Sequence, residues 1–159
     1  PFADVDIDEL ANRQRIGSPN YSSVTKDGAA ISLSAESAQP DPDDAEKLNG
    51  LIVRAEIALP EGPVVEISSA TMQLDHASGL ATLNDGVRID TSDGYEMRTE
   101  TLEVALDATR VAADSPTQVT GPAGQISADR FELAKGSEPD ASYVLVFKGH
   151  VKLVYGANK

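Results

Sequence analysis

Two histidines and one cluster of carboxylates are the residues of this chain best suited to acid–base or metal chemistry. His76 and His150 are far apart in the sequence, and neither belongs to a spacing typical of a zinc site. The four carboxylates within residues 41–46 lack the ligand spacing of a calcium loop, so they favour a solvated loop. There is no cysteine, nucleophile elbow or phosphate-binding glycine loop. We therefore predict a protein that is not an enzyme and that uses no metal or cofactor.

The composition excludes further classes of function. With 26 acidic and 13 basic residues among 159, the formal net charge is −13. A nucleic-acid binder needs a basic surface that releases counterions from phosphates, so DNA and RNA are excluded as partners. Simple adsorption to an anionic membrane is disfavoured for the same reason. The absence of tryptophan disfavours a sugar-binding site built on stacked aromatic rings.

The pattern from Tyr21 to Tyr155 is one of strands and turns. No segment keeps the i, i+3, i+4, i+7 spacing of an amphipathic helix, and β-prone residues flank the turn signals. The sequence therefore predicts an all-β fold. Hairpin-type turns are expected at Asp27-Gly28, Asp85-Gly86 and Asp93-Gly94, a surface loop at residues 40–44, and further turns at Gly121-Pro122 and residues 137–140.

A weak internal repeat recurs about every 30 residues, which indicates similar, stacked β units. Within a unit the apolar or small residues first occupy positions of one parity, as Met97 and Thr99 do at odd numbers. They then occupy positions of the other parity, as Leu102 and Val104 do at even numbers. Because side chains alternate faces along a strand, this slip requires a bulge or bend. It predicts strands that turn a corner in a rolled sheet. The repeated segments are residues 33–36, 67–74, 97–104 and 126–133, and a second related pair is residues 83–89 and 147–153.

Three stretches resemble the LptC family of lipopolysaccharide-export proteins, which are relatives of the OstA-like protein LptA. These stretches are residues 83–100, 115–128 and 147–155. Their individual motifs are loose, and the order in which they follow each other carries the resemblance. It covers nearly the whole chain and is best from residue 79 onward.

The resemblance implies a fold, a place and a role. The fold is an open, twisted β-jelly roll of antiparallel strands over residues 19–159, preceded by a short polar juxtamembrane tether over residues 1–18. The place is the periplasm, with an inner-membrane anchor formed by an N-terminal helix that this chain does not include. The role is to take lipopolysaccharide from the ABC transporter, contacting LptF and LptG through the N-terminal part, and to pass it to LptA.

If lipid passes through the domain, its acyl chains need an apolar lining. The candidates are the repeated inward positions, and the alternative for each is ordinary core packing. Met72, Met97 and Phe131 are the best candidates because flexible or large side chains adapt to mobile chains. The full set is Leu33, Ile67, Met72, Leu74, Met97, Leu102, Val104, Phe131 and Leu133.

The end of the chain is the candidate edge for β-augmentation by LptA, and a homodimer is a further possible use of it. This end is locally basic, and its lysines either meet phosphates or an acidic partner, or simply deter unwanted edge pairing. The candidate contacts are Tyr143, Val144, Val146, Lys148, Val151, Lys152, Leu153 and Tyr155. The main alternative function is a structural or adhesive β-repeat domain that binds no lipid, and a glycan-binding jelly roll is a weaker one.

Overall fold

The structure, a computed structural model, describes residues 16–17, 19–122, 124–135 and 143–155. Within these ranges the chain forms fourteen strands and no helix, and every strand pair is antiparallel. The prediction of an open, all-β antiparallel fold is therefore confirmed. Most of the predicted tether and the turn at residues 137–140 lie outside the described residues.

The strands differ greatly in length, from two to fifteen residues. The four longest, β3 to β6, are consecutive in the chain. In order, the strands are β1 Ile16–Gly17, β2 Asn20–Val24, β3 Ala30–Asp41, β4 Asp44–Ala58, β5 Val64–Asp75, β6 Leu80–Thr91, β7 Glu96–Thr99, β8 Leu102–Ala105, β9 Arg110–Ala113, β10 Thr117–Gly121, β11 Gly124–Ala128, β12 Arg130–Lys135, β13 Tyr143–Lys148 and β14 Lys152–Tyr155.

The hydrogen-bonded sheet divides into two layers that share the four long strands. Residues 87–90 of β6 pair with β7, which leads through β10 and β11 to β14. Residues 80–83 of β6 pair with β8, which leads through β9 and β12 to β13. We call the layer that ends in β14 layer A and the layer that ends in β13 layer B. At the opposite edge, β2 pairs with the layer A part of β3 and β1 with its layer B part.

A bulge in β6 marks the corner where the sheet passes from one layer to the other. Asp85 and Gly86 lie where the pairing register with β5 shifts. Both have left-handed backbone conformations, with φ of +66° at Asp85 and +94° at Gly86. The prediction of a hairpin turn at Asp85-Gly86 is wrong, because β6 continues through it. The same positive-φ dipeptide that suits a hairpin turn also suits a bulge.

The burial pattern confirms the predicted change of parity at the corner. In β5, Ile67 and Ser69 are buried, and the next buried residues are Met72 and Leu74, so the inward set moves by one position. Both halves of the strand thereby face the same interior. The same shift separates Thr99 from Leu102 and Ala128 from Phe131.

The predicted loop at residues 40–44 is instead a tight hairpin. Strand β3 runs through Pro40 to Asp41 and β4 begins at Asp44, with Pro40 directly opposite Leu48. The Asp41 carboxylate accepts a hydrogen bond from the Asp43 amide over 2.8 Å, which fixes the turn. Proline is confined to edge positions or bulges within sheets, and no described residue pairs with Pro40 on the side of β3 away from β4. The turns at Asp27-Gly28, Asp93-Gly94 and Gly121-Pro122 are confirmed.

Gly149 lies where the chain crosses from β13 in layer B to β14 in layer A. Its φ is +82°, and a Cβ built there would lie 2.6 Å from the Asp129 Cβ. We predict that Gly149→Ala lowers the free energy of unfolding by about 2–3 kcal/mol, because backbone strain and a clash add together. Gly86→Ala is the matched control. Its φ is +94° but nothing lies within 4 Å of the new Cβ, so only the strain of about 1 kcal/mol is expected. Equal losses in urea unfolding would refute the role of the Asp129 contact.

Candidate functional site

Two rows of apolar side chains cross the interior at right angles to the strands and face each other. Strand pairing brings one residue from each strand into the layer A row, from β2 at the N-terminal edge to β14 at the C-terminal edge. The layer B row runs from β4 to β13, because the β3 residue opposite Leu48 is the exposed Pro40. The layer A row is Tyr21, Leu33, Ala55, Ile67, Ile89, Met97, Val119, Ile126 and Leu153. The layer B row is Leu48, Leu74, Ala81, Val104, Val111, Leu133 and Leu145.

All nine predicted lining residues have inward positions. Eight are buried, and Leu133 is half-buried against the same core cluster. Leu33, Ile67 and Met97 belong to the layer A row, whereas Leu74, Val104 and Leu133 belong to the layer B row. Met72, Leu102 and Phe131 lie at neighbouring inward positions. Their contact with lipid remains a prediction.

The larger apolar cavity lies between the layers near the C-terminal edge and has a volume of about 290 Å³. We call it the C-terminal cavity. Of the nine predicted residues it is lined by Met97, Phe131 and Leu133. Its other lining residues are Leu59, Pro63, Val65, Ile89, Thr91, Asp93, Tyr95, Val111, Val119, Ile126, Leu145 and Phe147, so apolar and aromatic side chains dominate it. Ile126, Ile89 and Phe147 lie within the repeated segments but were not among the predicted lining residues, and the other nine lie outside the repeats.

The mouth of the C-terminal cavity is built from exposed apolar side chains. Tyr95 lies over Gly121, where a Cβ would overlap the tyrosine ring, so only glycine allows this packing. Leu145 is 43% exposed, and the neighbouring Phe147 ring lies 6.1 Å from that of Phe131. Apolar side chains therefore predominate at this opening, and Thr91 and the exposed Asp93 are the polar residues of the lining.

A second apolar cavity of about 170 Å³ lies near the N-terminal edge. Leu33, Met72 and Leu74 line it. The three remaining predicted residues, Ile67, Leu102 and Val104, line neither cavity and are almost fully buried. Ile67 stands between Leu33 and Met97 in the layer A row, so the interior consists of two cavities separated by packed core.

Polar contacts tie the layers together at the end opposite the corner. The Asp27 carboxylate accepts hydrogen bonds from the hydroxyls of Thr25 and Thr109, the latter over 2.7 Å. Burial by itself would raise the pKa of Asp27, but these two hydrogen bonds, a backbone hydrogen bond and the positive charge of Lys135 together lower it. The Lys26 amide also donates to the Asp107 carbonyl over 3.1 Å. These contacts join the β2–β3 turn of layer A to the β8–β9 turn of layer B.

Both C-terminal strands have a free edge. Strand β13 pairs with β12 and β14 pairs with β11, and no described strand lies on the other side of either. Seven of the eight predicted partner contacts lie on these two strands, and Val151 lies in the link between them. The two strands belong to different layers and do not pair with each other, so a partner meets two edges with the cavity between them.

His150 and Asp129 form an exposed ion pair at this crossing, with 2.7 Å between Nδ1 and Oδ2. The hydrogen bond to the Asp129 carboxylate, reinforced by its charge, raises the pKa of His150. The pair therefore stabilises the fold fully below the ordinary histidine pKa, and this contribution is lost as pH rises through the raised value. We predict that Asp129→Asn returns the His150 pKa toward about 6.5, measured by NMR titration. An unchanged midpoint would show that the pair does not form in solution.

The described part of the chain contains neither a group of three residues placed to hold a metal ion nor a helix that is long and apolar enough to cross a bilayer. An antiparallel sheet that folds at a corner around an apolar interior, with no described strand beyond its outermost strands on either side, defines the protein as an open β-jelly roll. The family model for LptC-related lipopolysaccharide-assembly proteins matches residues 16–138. The chain belongs to this family and takes part in lipopolysaccharide transport. No individually curated protein matches the sequence.

Proposed function

We propose that the domain carries lipopolysaccharide by its acyl chains, held between layers A and B. The two facing apolar rows carry this proposal, because a transfer path needs continuous apolar surface between entry and exit. The layer A row runs from β2 to β14 and the layer B row from β4 to β13. Burial of one methylene group contributes about 0.8 kcal/mol, so a few groups in the C-terminal cavity give useful affinity. The interior would take up the chains and leave the charged headgroup in solvent.

The role is that of a scaffold with no catalytic residue, and the ATP of the transporter would supply the direction of flow. A structural β-repeat domain is the alternative, and it requires an interior that is closed to ligands. The C-terminal cavity and its apolar mouth favour the transfer role.

Native mass spectrometry of the chain incubated with a purified lipid A-type lipid tests the proposal. We expect a complex of one protein with one lipid that survives gentle desolvation. A folded protein that retains no lipid over a range of lipid concentrations would favour the structural alternative.

We further propose that β13 and β14 accept LptA by β-augmentation, and that the edges of β1 and β2 face LptF and LptG in the periplasm. The exposed side chains of the C-terminal strands support the first assignment. Val144 and Leu153 are 49% and 59% exposed, although both are large apolar residues. Such a surface is suited to burial by a partner. The family match ends at residue 138, so the assignment of β13 and β14 depends on the sequence resemblance.

Proline substitutions test this edge. Of two neighbouring residues in an edge strand, one directs its N–H to the free side. We predict that either Val144→Pro or Leu145→Pro weakens LptA binding at least about tenfold, because the ladder loses a donor. Val24→Pro, in the exposed edge strand β2, is the control and should leave LptA binding unchanged. Unchanged affinity in both β13 variants would contradict the assignment, and concentration-dependent self-association would identify a second copy as the occupant.

A further inference from the structure

A row of outward residues that contains three arginines and one lysine crosses the outer face of layer A, in a protein that is strongly acidic overall. The strand registers place one residue from each of eight neighbouring strands in this row, and none of the eight is a carboxylate. We call it the basic row. Its members in spatial order are Ser34, Arg54, Ser68, Arg88, Arg98, Gln118, Ser127 and Lys152.

Three arginines of the basic row line an open depression of about 470 Å³ at the corner of the sheet. They are Arg54, Arg88 and Arg98, and Ser68 and Gly86 lie among them. All three arginines are exposed. Neighbouring strands are about 4.8 Å apart. The backbones of Arg88 and Arg98 are therefore one strand spacing apart, and the backbone of Arg54 is two spacings, about 10 Å, from that of Arg88.

Carboxylates next to the depression orient two of the arginines without using all their donors. Arg88 donates to Asp90 over 3.0 Å, and Arg98 donates to Glu96 over 2.9 Å. Glu96 also lies 3.6 Å from Arg88. A guanidinium has five donors, so each arginine keeps donors for a ligand.

Two further features decide where an anion can sit. Asp85 also lines the depression, and its carboxylate accepts a hydrogen bond from the Thr71 hydroxyl over 2.8 Å. Arg54 forms no salt bridge with any described residue. An anion would therefore avoid the side of the depression where the Asp85 carboxylate lies and would bind first at Arg54.

We propose that this depression binds a phosphate-bearing ligand, with Arg54 as the main contact and Arg88 and Arg98 as further contacts. Guanidinium groups pair with phosphate through two parallel hydrogen bonds, and the three arginines line one depression from neighbouring strands. The site is on the face of layer A opposite the lipid interior, so the proposal does not rest on acyl-chain binding. The phosphate is borne either by a lipid headgroup or by a soluble phosphate compound.

The test uses the chain with ¹⁵N-labelled arginine and inorganic pyrophosphate as the probe at physiological ionic strength. We expect saturable shifts of the Nε–H signals of Arg54, Arg88 and Arg98. Arg54→Gln should weaken binding about tenfold, which corresponds to the loss of one charge-assisted contact. Lys26→Gln removes the same charge in the β2–β3 turn, away from the basic row, and should leave affinity unchanged.

A second arm distinguishes the source of the phosphate. Co-sedimentation with vesicles that contain phosphatidic acid, but not with vesicles of phosphatidylcholine alone, would assign the site to a lipid headgroup. Pyrophosphate binding without co-sedimentation would assign it to a soluble phosphate compound. The proposal is overturned if the three arginine signals do not shift saturably, or if Lys26→Gln weakens binding as much as Arg54→Gln.

Discussion

Val119→Phe is expected to weaken the binding of a single acyl chain at least about tenfold while the protein stays folded. Val119 is buried in β10, faces the C-terminal cavity and stands beside Met97 and Ile126 in the layer A row. A phenyl ring there would occupy the space that the proposal gives to the chain. Loss of a few buried methylene groups, at about 0.8 kcal/mol each, weakens binding at least about tenfold.

The measurement is a titration with a fluorescent dodecanoate derivative, followed by displacement with unlabelled lipid. Gln118→Phe is the matched control, because the adjacent residue on the same strand is exposed and points to the opposite face. It should bind the probe like the unmodified chain. Full probe binding by Val119→Phe would show that the chain is held elsewhere.

Leu83→Ala is expected to lower the free energy of unfolding by about 2–5 kcal/mol, the range for a large-to-small change in a packed core. Leu83 is fully buried and lines neither interior cavity. It stands directly between Met72 and Leu102 in the strand pairing, where the core separates the two cavities.

Chemical denaturation with urea measures this loss. Glu103→Ala is the control, since Glu103 is an exposed residue on β8 and its removal should change stability by no more than about 0.5 kcal/mol. A loss below 1 kcal/mol for Leu83→Ala would mean that the interior between the cavities is already loosely packed. The two cavities would then form one groove at rest.

The bend of the sheet was predictable because it changes the pattern of apolar residues within a single short stretch of sequence. A strand that keeps both halves facing one interior must shift its inward set by one residue, and the sequence shows this between Thr99 and Leu102. Turn-forming residues alone do not distinguish a hairpin turn from a bulge within a strand. Asp85-Gly86 supplies positive φ, which both a hairpin and a bulge need, so only the pairing partners of β6 decide between them.

The lining of the interior was predictable only in part, because it depends on the register between distant strands. The repeat pointed to Met97 and Phe131. Ile126 opens the same repeated segment as Phe131 but was not among the predicted lining residues, and Val119 lines the cavity from a strand outside the repeat. The basic row was hidden for the same reason. Arg54 and Arg88 are 34 positions apart in the sequence and come into line only through Ser68 on the strand between them.

Site-specific photo-crosslinking to lipopolysaccharide tests the central claim most directly. A photoreactive residue would replace Met97 or Phe131, which line the C-terminal cavity, and Glu103 as the outward control on β8. We predict lipid adducts at Met97 and Phe131 and none at Glu103. The absence of adducts at both inward positions in folded protein, or equal adducts at Glu103, would contradict an acyl-chain path between the layers.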